Sequence, residues 1–454
     1  MENVVNCERT VDTEEIFFSI TNAEGVITGL SSTLARLSGY PREELVGAPH
    51  SILRHTTMPA GLFTLMWNDL NKGLPVSAYM INRAKDEADY RVFSVVLPVG
   101  EDFLAVFLKP QDIATSGLIE VIYDKVHAHE AQQEADGAEP SAVGESGATE
   151  LTAALAPFGY STLLDMTHAA APAELRLLVG AAARVPEVGE ATGPLATVLE
   201  LLGGLESDTE AMVRQIDEYT RLLGSLSAHT SEPSALAQRV REIQVGIAAV
   251  GSSDPESSAP RTGERVSTRM QQATTVLDAV PEQMSRLRDH GVALRFLVSQ
   301  VRLLTLAMGR FTASAATGGE EESAAMLRVL CRALEESSGR LAGATDDVRT
   351  SAAQLDASMR DLVRELDGSR RPLSRWIRTV SEEGAESLSD GVDCDEVLRN
   401  LTALAEKGFP EAGGMAALAA ECRGLELSLD TAVVEGRFPA MREQLDAYAE
   451  NPEG

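Results

Sequence analysis

The 454-residue chain has few aromatic side chains, few cysteines and a shortage of positive charge. Aromatic residues make up 4% of the chain while hydrophobic residues reach 44%, a balance that favours helix bundles over β-sandwiches and barrels. Its 39 lysines and arginines are outnumbered by 69 aspartates and glutamates, which gives a formal net charge of −30. Because such a charge repels phosphate backbones and anionic lipid, it argues against nucleic-acid binding and against docking on a membrane.

Long apolar runs and paired cysteines are also missing. The N-terminus lacks the basic and apolar regions of a secretion signal, and the most apolar stretch, residues 291–311, contains three arginines. We therefore expect a cytoplasmic, soluble protein without a membrane span. No CxxC pair and no cysteine–histidine cluster occurs, so we expect no disulfide framework and no metal site. The four cysteines are widely separated, at Cys7, Cys331, Cys394 and Cys422.

Catalytic motifs are absent from the sequence. It contains no GxGxxG, no phosphate-binding loop, no HExxH, no GxSxG and no kinase signature. The acidic clusters at residues 320–322 and 335–336 have the composition of solvated helix faces. We therefore expect a protein that is not an enzyme and has no catalytic residues.

The first quarter of the chain alternates between strand and helix patterns. After a tail at residues 1–13, two apolar, β-branched runs flank a Gly-containing turn and predict a hairpin over residues 14–30. Helical spacing interrupted by prolines predicts short helices over residues 31–72. Three further apolar runs predict strands at residues 76–81, 90–97 and 103–108. We expect an α+β domain over residues 14–113, in which a five-stranded antiparallel sheet carries short helices.

Helical patterns follow the predicted sheet. Residues 114–131 place apolar side chains at helical spacing and predict an exit helix. Residues 132–150 contain almost no large apolar side chain, and their Gln, Glu, Ala, Gly, Ser and Pro predict a flexible linker. Residues 151–189 predict a small helical segment, to which the sequence assigns no role.

The remainder of the chain follows heptad patterns. Apolar residues in steps of three and four predict heptad helices over residues 195–250. After a Gly- and Ser-containing linker at residues 251–264, two seams of similar length flank a turn at residues 312–320. They predict a long antiparallel helical hairpin over residues 264–367. Residues 372–454 predict further short helices, so we expect a mostly α, coiled-coil or helical-bundle region.

A dense motif lies within residues 38–67. Its members are Ser38, Gly39, Tyr40, Glu43, Glu44, Leu45, Gly47, Pro49, His50, Arg54, His55, Met58, Pro59, Phe63 and Trp67. Their spacing resembles that of PAS sensor domains of the aerotaxis-receptor type, and a weaker similarity follows around Asn82 and Tyr90. The resemblance covers about residues 16–130 and implies the PAS fold for the predicted α+β domain.

The resemblance implies a site for flavin adenine dinucleotide (FAD). In that family an Arg-His pair helps to hold the flavin, and this chain has Arg54 and His55 at those positions. An arginine fork suits a pyrophosphate or a ring carbonyl, a histidine can donate to a flavin edge, and an aromatic side chain can flank the ring. The cofactor-binding residues that we predict are Arg54, His55, Trp67, Asn82, Tyr40 and Thr57.

The sequence also departs from the family pattern. Thr56 and Thr57 stand where the family has proline and an acid, and Val76 replaces a tryptophan. These changes remove a polar anchor and a stacking plate, so an empty or differently occupied pocket stays open as an alternative. A third possible state of the pocket is one that holds haem, with His50 or His55 as the axial ligand. Two of the predicted site residues also have simpler alternative roles. Arg54 could form a surface ion pair with Glu43 or Glu44, and Trp67 could be a core residue.

The sequence supports two hypotheses of function. In the first, the protein transduces signals in a chemotaxis-like system: the PAS domain senses redox state or a small ligand and relays it to a helical bundle that binds a protein partner. In the second, the protein is a scaffold with a ligand-free PAS module and coiled-coil assembly. Both hypotheses predict a homodimer or a higher oligomer.

Overall fold

The computed structural model describes most of the chain in two compact units. The first comprises Met1–Arg214, Val292–Gly343 and Asp430–Gly454, and the second Gln215–Gly291 and Ala344–Leu429. The residues described within them are 8–181, 183–189, 191–228, 231–318, 323–388, 393–409, 413–417, 420, 423 and 430–450.

The first unit contains a five-stranded antiparallel sheet with the strand order β2-β1-β5-β4-β3. The strands are β1 (Ile16–Thr21), β2 (Ile27–Leu30), β3 (Val76–Arg83), β4 (Asp89–Val99) and β5 (Asp102–Leu108). Between β2 and β3 lie α1 (Ser32–Ser38), α2 (Arg42–Leu45), a 3₁₀ helix (His50–Leu53) and α3 (Ala60–Leu70). The predicted fold class, a five-stranded α+β domain followed by a mostly helical region, is confirmed.

Local side chains explain the first hairpin. The Asn22 side-chain oxygen accepts hydrogen bonds from the backbone N–H groups of Glu24 (3.1 Å) and Val26 (2.9 Å), which closes the turn between β1 and β2. The helices α1 and α2 then cover the sheet with apolar side chains. The resulting core cluster includes Phe17, Ile27, Leu30, Leu34, Leu37, Leu45, Leu53, Tyr90 and Val92.

The predicted flexible linker at residues 132–150 is wrong. The helix α4 spans Ile113–Ala135, and a further helix, α5, spans Pro140–Leu155. The α5 backbone lies directly against α3, because a Cβ atom on Gly61 would overlap the carbonyl carbon of Gly147. Small side chains allow two helices to approach this closely. The lack of large apolar residues in this stretch therefore reflects close packing.

The segment at residues 151–189 covers an edge of the sheet. Its helix α6 (Leu163–Gly180) lies on β3, the last strand in the sheet order. The Thr167 hydroxyl accepts a hydrogen bond from the backbone N–H of Ser77 (2.8 Å), and the Tyr79 hydroxyl donates to the Glu174 carboxylate (2.9 Å). An edge strand exposes unpaired backbone groups, so α6 satisfies part of that edge with its own side chains.

Long helices supply the rest of the first unit. It contains parts of α7 (Gly193–Ala228), α9 (Ala259–Ala316) and α10 (Ser323–Glu383), together with α12 (Thr431–Glu435) and α13 (Phe438–Glu450). The Gln300 side chain of α9 donates to Ser337 of α10 (2.8 Å). A buried ion pair joins Arg302 and Glu206 (3.0 Å), and Arg302 also donates to the Glu206 carbonyl. With a third hydrogen bond to the Thr209 hydroxyl (3.4 Å), both terminal nitrogens of the guanidinium have partners, as a buried charge requires.

The second unit contains the remaining parts of α7, α9 and α10, with α8 (Ser231–Ala249) and α11 (Cys394–Lys407). Two short strands, β6 (Val250–Ser252) and β7 (Ala385–Ser387), pair antiparallel. Within this unit Arg269 of α9 binds Glu365 of α10 (2.9 Å), and His290 binds Ser351 (2.9 Å).

Several predicted helix bounds need correction. The helix α9 begins at Ala259, inside the predicted linker at residues 251–264, and extends to Ala316 in the predicted turn. Residues 319–322 lie outside the described part of the chain. The helix α10 continues through Pro372 to Glu383, although proline commonly ends a helix. Trp376, which is 2% exposed, packs against Gly263 of α9 and anchors this last stretch.

The helix α9 is the one described helix that is long and apolar enough to cross a membrane. Within its most apolar window, 78% of the residues are buried in the structure. This burial is typical of a core helix in a soluble protein.

The close packing of α5 against Glu130 of α4 generates the first prediction. Gly147→Ala should lower the free energy of unfolding of the first unit by about 1–3 kcal/mol, because the added methyl group overlaps the Glu130 carboxylate. Urea denaturation followed by circular dichroism measures the change. Gly117→Ala is the matched control, since Gly117 lies on α4 with open space around it, and alanine there should stabilise slightly. Equal urea midpoints for Gly147→Ala and Gly117→Ala would contradict the close packing around Gly147.

Candidate functional site

A cavity lies between the sheet and the segment that runs from the 3₁₀ helix through α3. All five strands contribute to its lining, which is predominantly apolar. The centre of a water molecule can occupy about 80 Å³ of it. Its polar lining residues are Ser19, Thr21, His50, Arg54, Asn82 and Ser94.

Aromatic rings form one wall of the cavity. The Trp67 ring lies edge-on to Phe103 at a centroid distance of 5.3 Å and 5.7 Å from the His50 ring. Phe63 lies one helical turn before Trp67 on α3 and also lines the cavity. The prediction that Trp67 contributes to the pocket agrees with its position in the lining. These rings offer π-faces and edges to a planar ligand.

Arg54 is the cationic group of the cavity. Its guanidinium carbon lies 4.1 Å from the centre of the Phe63 ring, and its Nη2 donates to the Met58 carbonyl. Burial lowers the pKa of Arg54, and the nearby Glu130 carboxylate opposes that effect. The alternative ion pair with Glu43 or Glu44 is wrong, because the guanidinium stacks on Phe63 while Glu44 binds Lys85.

His50 lines the cavity, although we predicted it only as a haem ligand. Its Nδ1 lies 3.2 Å from the Gly25 carbonyl, an acceptor, so Nδ1 carries the proton in this contact. Burial lowers the pKa of His50, so the ring is neutral at neutral pH. The neutral ring then keeps Nε2 as a hydrogen-bond acceptor.

The structure places His55 and Thr57 outside the cavity lining, which corrects their predicted roles. His55 Nδ1 accepts a hydrogen bond from the Thr57 backbone N–H (3.2 Å), and its Nε2 lies 3.4 Å from Asp89. Burial lowers the pKa of His55, opposed by the Asp89 carboxylate. The backbone is extended at Arg54 (φ −72°, ψ 127°). Because neighbouring side chains alternate in direction in extended chain, Arg54 reaches the cavity and His55 does not.

Tyr40 also lies outside the lining. Its ring packs against the core cluster beneath α1 and α2, and the Lys85 ammonium lies 5.6 Å from the ring centre. It therefore cannot flank a ligand in the cavity. Asn82 does line the cavity, and its backbone bridges to Arg54.

Sequence reasoning missed Ser94. This serine on β4 is fully buried, lines the cavity, and has an Oγ without a hydrogen-bond partner among the described residues. A buried hydroxyl without a partner costs free energy, and a polar ligand atom would remove that cost. The sequence could not identify Ser94, because nothing in it distinguishes a strand serine that faces the cavity from one that faces away.

The residues present fit the ring system of a flavin. Trp67 and Phe63 provide aromatic surface, while Arg54 and Ser94 provide hydrogen-bond donors.

Comparisons with known proteins agree with this architecture. The family model for the PAS fold matches residues 7–100. The aerotaxis receptor of Escherichia coli (strain K12) is 33% identical over 114 residues, which is 24% of this chain and 22% of the receptor. The chain thus matches about a fifth of that relative's length. The sheet order, the cavity and both comparisons lead to one conclusion: the N-terminal region of this chain is a PAS domain.

Proposed function

We propose that this protein is a cytoplasmic signal-transduction protein whose PAS domain senses redox state or a small ligand in the cavity. One observation carries the proposal. The cavity is apolar but contains the half-buried cation Arg54 and the buried hydroxyl of Ser94, which has no hydrogen-bond partner among the described residues. Polar groups at a few positions in an apolar cavity are typical of ligand sites.

A flavin is the cofactor that these residues suit. When bound, a flavin would supply a ring whose charge depends on its redox state. Arg54 would respond to such a charge, because a guanidinium in a partly buried site interacts strongly with an anion. His50 would accept a hydrogen bond at Nε2, and Ser94 would donate one from its hydroxyl.

The strand β1 supports a relay from the cavity to the long helices. Ser19 and Thr21 line the cavity. Phe18 directly precedes Ser19 on this strand, points to the opposite face, and meets Phe311 of α9 edge-on at a centroid distance of 5.0 Å. Because side chains alternate along a strand, one strand contacts both the ligand site and the helices of the first unit.

The strand β2 provides a second contact. A Cβ atom on Gly29 would lie 3.6 Å from the Met326 side chain of α10, and Arg42 Nη2 lies 3.7 Å from Met326 Sδ. A ligand that shifts β1 or β2 would therefore alter the packing of both α9 and α10. A bias of a few kcal/mol is enough to change the populations of two packing states substantially. We infer that the helices present the altered state to a protein partner.

The flavin proposal has a direct test in the visible absorption of the purified protein. We expect flavin bands, and we expect Arg54→Ala to retain about tenfold less flavin because a charge-assisted contact is lost. Arg36→Ala is the matched control, since Arg36 is exposed and pairs with Glu15. A protein that stays colourless after incubation with flavin would favour the scaffold hypothesis. Equal retention in both variants would exclude Arg54 from the site.

The relay has its own test in hydrogen exchange of flavin-loaded protein before and after chemical reduction. We expect reduction to change the exchange of α9 residues 300–316 in the native protein, and Phe311→Ala to suppress that change because the contact with Phe18 is lost. Phe296→Ala is the control on the same helix, since Phe296 packs against His168 of α6. An identical response in native protein and Phe311→Ala would rule out this route.

The proposed association of helical regions predicts a native mass of at least twice 48.4 kDa. Light scattering coupled to size-exclusion chromatography measures this mass over a range of concentrations. A single species of 48.4 kDa at every concentration would contradict self-association.

A further inference from the structure

A buried carboxylate from outside the matched PAS region lies at the start of α3. Glu130 is on α4 and is 3% exposed. Its two oxygens accept hydrogen bonds from the backbone N–H groups of Ala60 and Gly61, both at 2.8 Å. These are the first two residues of α3, whose N-cap, Pro59, provides no side-chain cap. Glu130 thus supplies the missing cap from a distant part of the chain.

The turn that Glu130 caps also carries the contacts of Arg54. Met58 accepts a hydrogen bond from Arg54 just before the turn, and Phe63 stacks beneath the guanidinium just after it. Both residues line the cavity. Arg54 and Glu130 thus bind backbone groups that lie two and three residues apart in the same turn. The attraction between the Glu130 carboxylate and the Arg54 cation acts across the same turn.

The helix α5 seals this arrangement from the other side. A Cβ atom on Gly147 would overlap the Glu130 carboxylate, and a Cβ atom on Gly61 would overlap the Gly147 backbone. Ser146, next to Gly147, accepts a hydrogen bond from the Gln133 side chain of α4 (2.7 Å), and its hydroxyl oxygen lies 2.9 Å from Nε2 of His129 on the same helix. The carboxylate has no room to shift unless α5 shifts as well, because packed interiors do not deform continuously.

We infer that Glu130 is a positioning residue for the cavity: it joins the turn at Met58–Gly61, which Arg54 holds, to the helices α4 and α5. A ligand that draws Arg54 away from Met58 would loosen the cap of α3 and change the packing of α5. The sensor then has a second output besides the contacts of β1 and β2. The inference rests on the proposed function only in taking the cavity as the ligand site.

Hydrogen exchange on the full chain, stripped of any cofactor, tests this coupling. The variants are Arg54→Met, Glu130→Gln and the double substitution, and the peptides of interest cover residues 57–66 and 140–155. Each single variant should speed exchange in both peptides by about tenfold, as expected when a buried charge-assisted hydrogen bond is lost. The double variant should exchange no faster than the faster single variant, because both changes break one coupled unit.

Glu174→Gln is the matched control. Glu174 is equally buried and accepts hydrogen bonds from Tyr79 and from the backbone N–H groups of Gln111 and Asp112. Its substitution should speed exchange in β3 and leave residues 140–155 unchanged. If every variant instead exchanged faster both in β3 and at residues 140–155, the cause would be a general loss of stability, and the inference would be overturned.

Arg54→Met decides the question even if Glu130→Gln fails to fold, since it leaves the Glu130 cap in place. Unchanged exchange at residues 140–155 in Arg54→Met would overturn the coupling. A folded double variant whose exchange rate increases by the product of the two single-variant factors would overturn it as well. Because these measurements use no ligand, a failure of flavin binding would refute the proposed cofactor and leave this result unaffected.

Discussion

Two buried carboxylates, one on α4 and one on α6, hold these helices on the PAS domain. Glu130 caps α3, and Glu174 binds Tyr79 of β3 together with the backbone that leads into α4. Each oxygen satisfies backbone or hydroxyl donors that would otherwise be buried without partners, at a cost of about 1–3 kcal/mol each. Both acids lie beyond residue 100, where the family match ends. The helices that carry these acids thus pack on the PAS domain from beyond the residues that the family model matches.

The cavity is connected to its surroundings by two separate sets of contacts. On the sheet side, β1 alternates between cavity residues and Phe18, which meets α9. On the helix side, Arg54 and Glu130 share the turn before α3, and Glu130 is enclosed by Gly147 of α5. Both sets join closely packed elements, which supports the proposal that a displacement at the cavity changes the packing of helices.

The sequence predicted the fold better than the site. Strand alternation and proline-separated helices were enough to place the sheet, and the motif around Arg54 located the cavity wall. Among the predicted site residues, Arg54, Trp67 and Asn82 line the cavity, whereas His55, Thr57 and Tyr40 do not. Adjacent residues in extended chain face opposite sides, so the motif alone could not distinguish Arg54 from His55. Ser94 carried no signal at all, because its importance arises from burial without a partner.

The sequence by itself determined the α+β front, the helical remainder and the excess negative charge, since each follows from local periodicity or composition. The tertiary structure alone decided that residues 132–150 belong to ordered helices, that α10 continues through Pro372, and that a glutamate on α4 completes the start of α3. These features depend on close backbone approach and on hydrogen bonds between residues far apart in the chain. Neither leaves a periodic pattern, and for that reason only the assembled structure shows them.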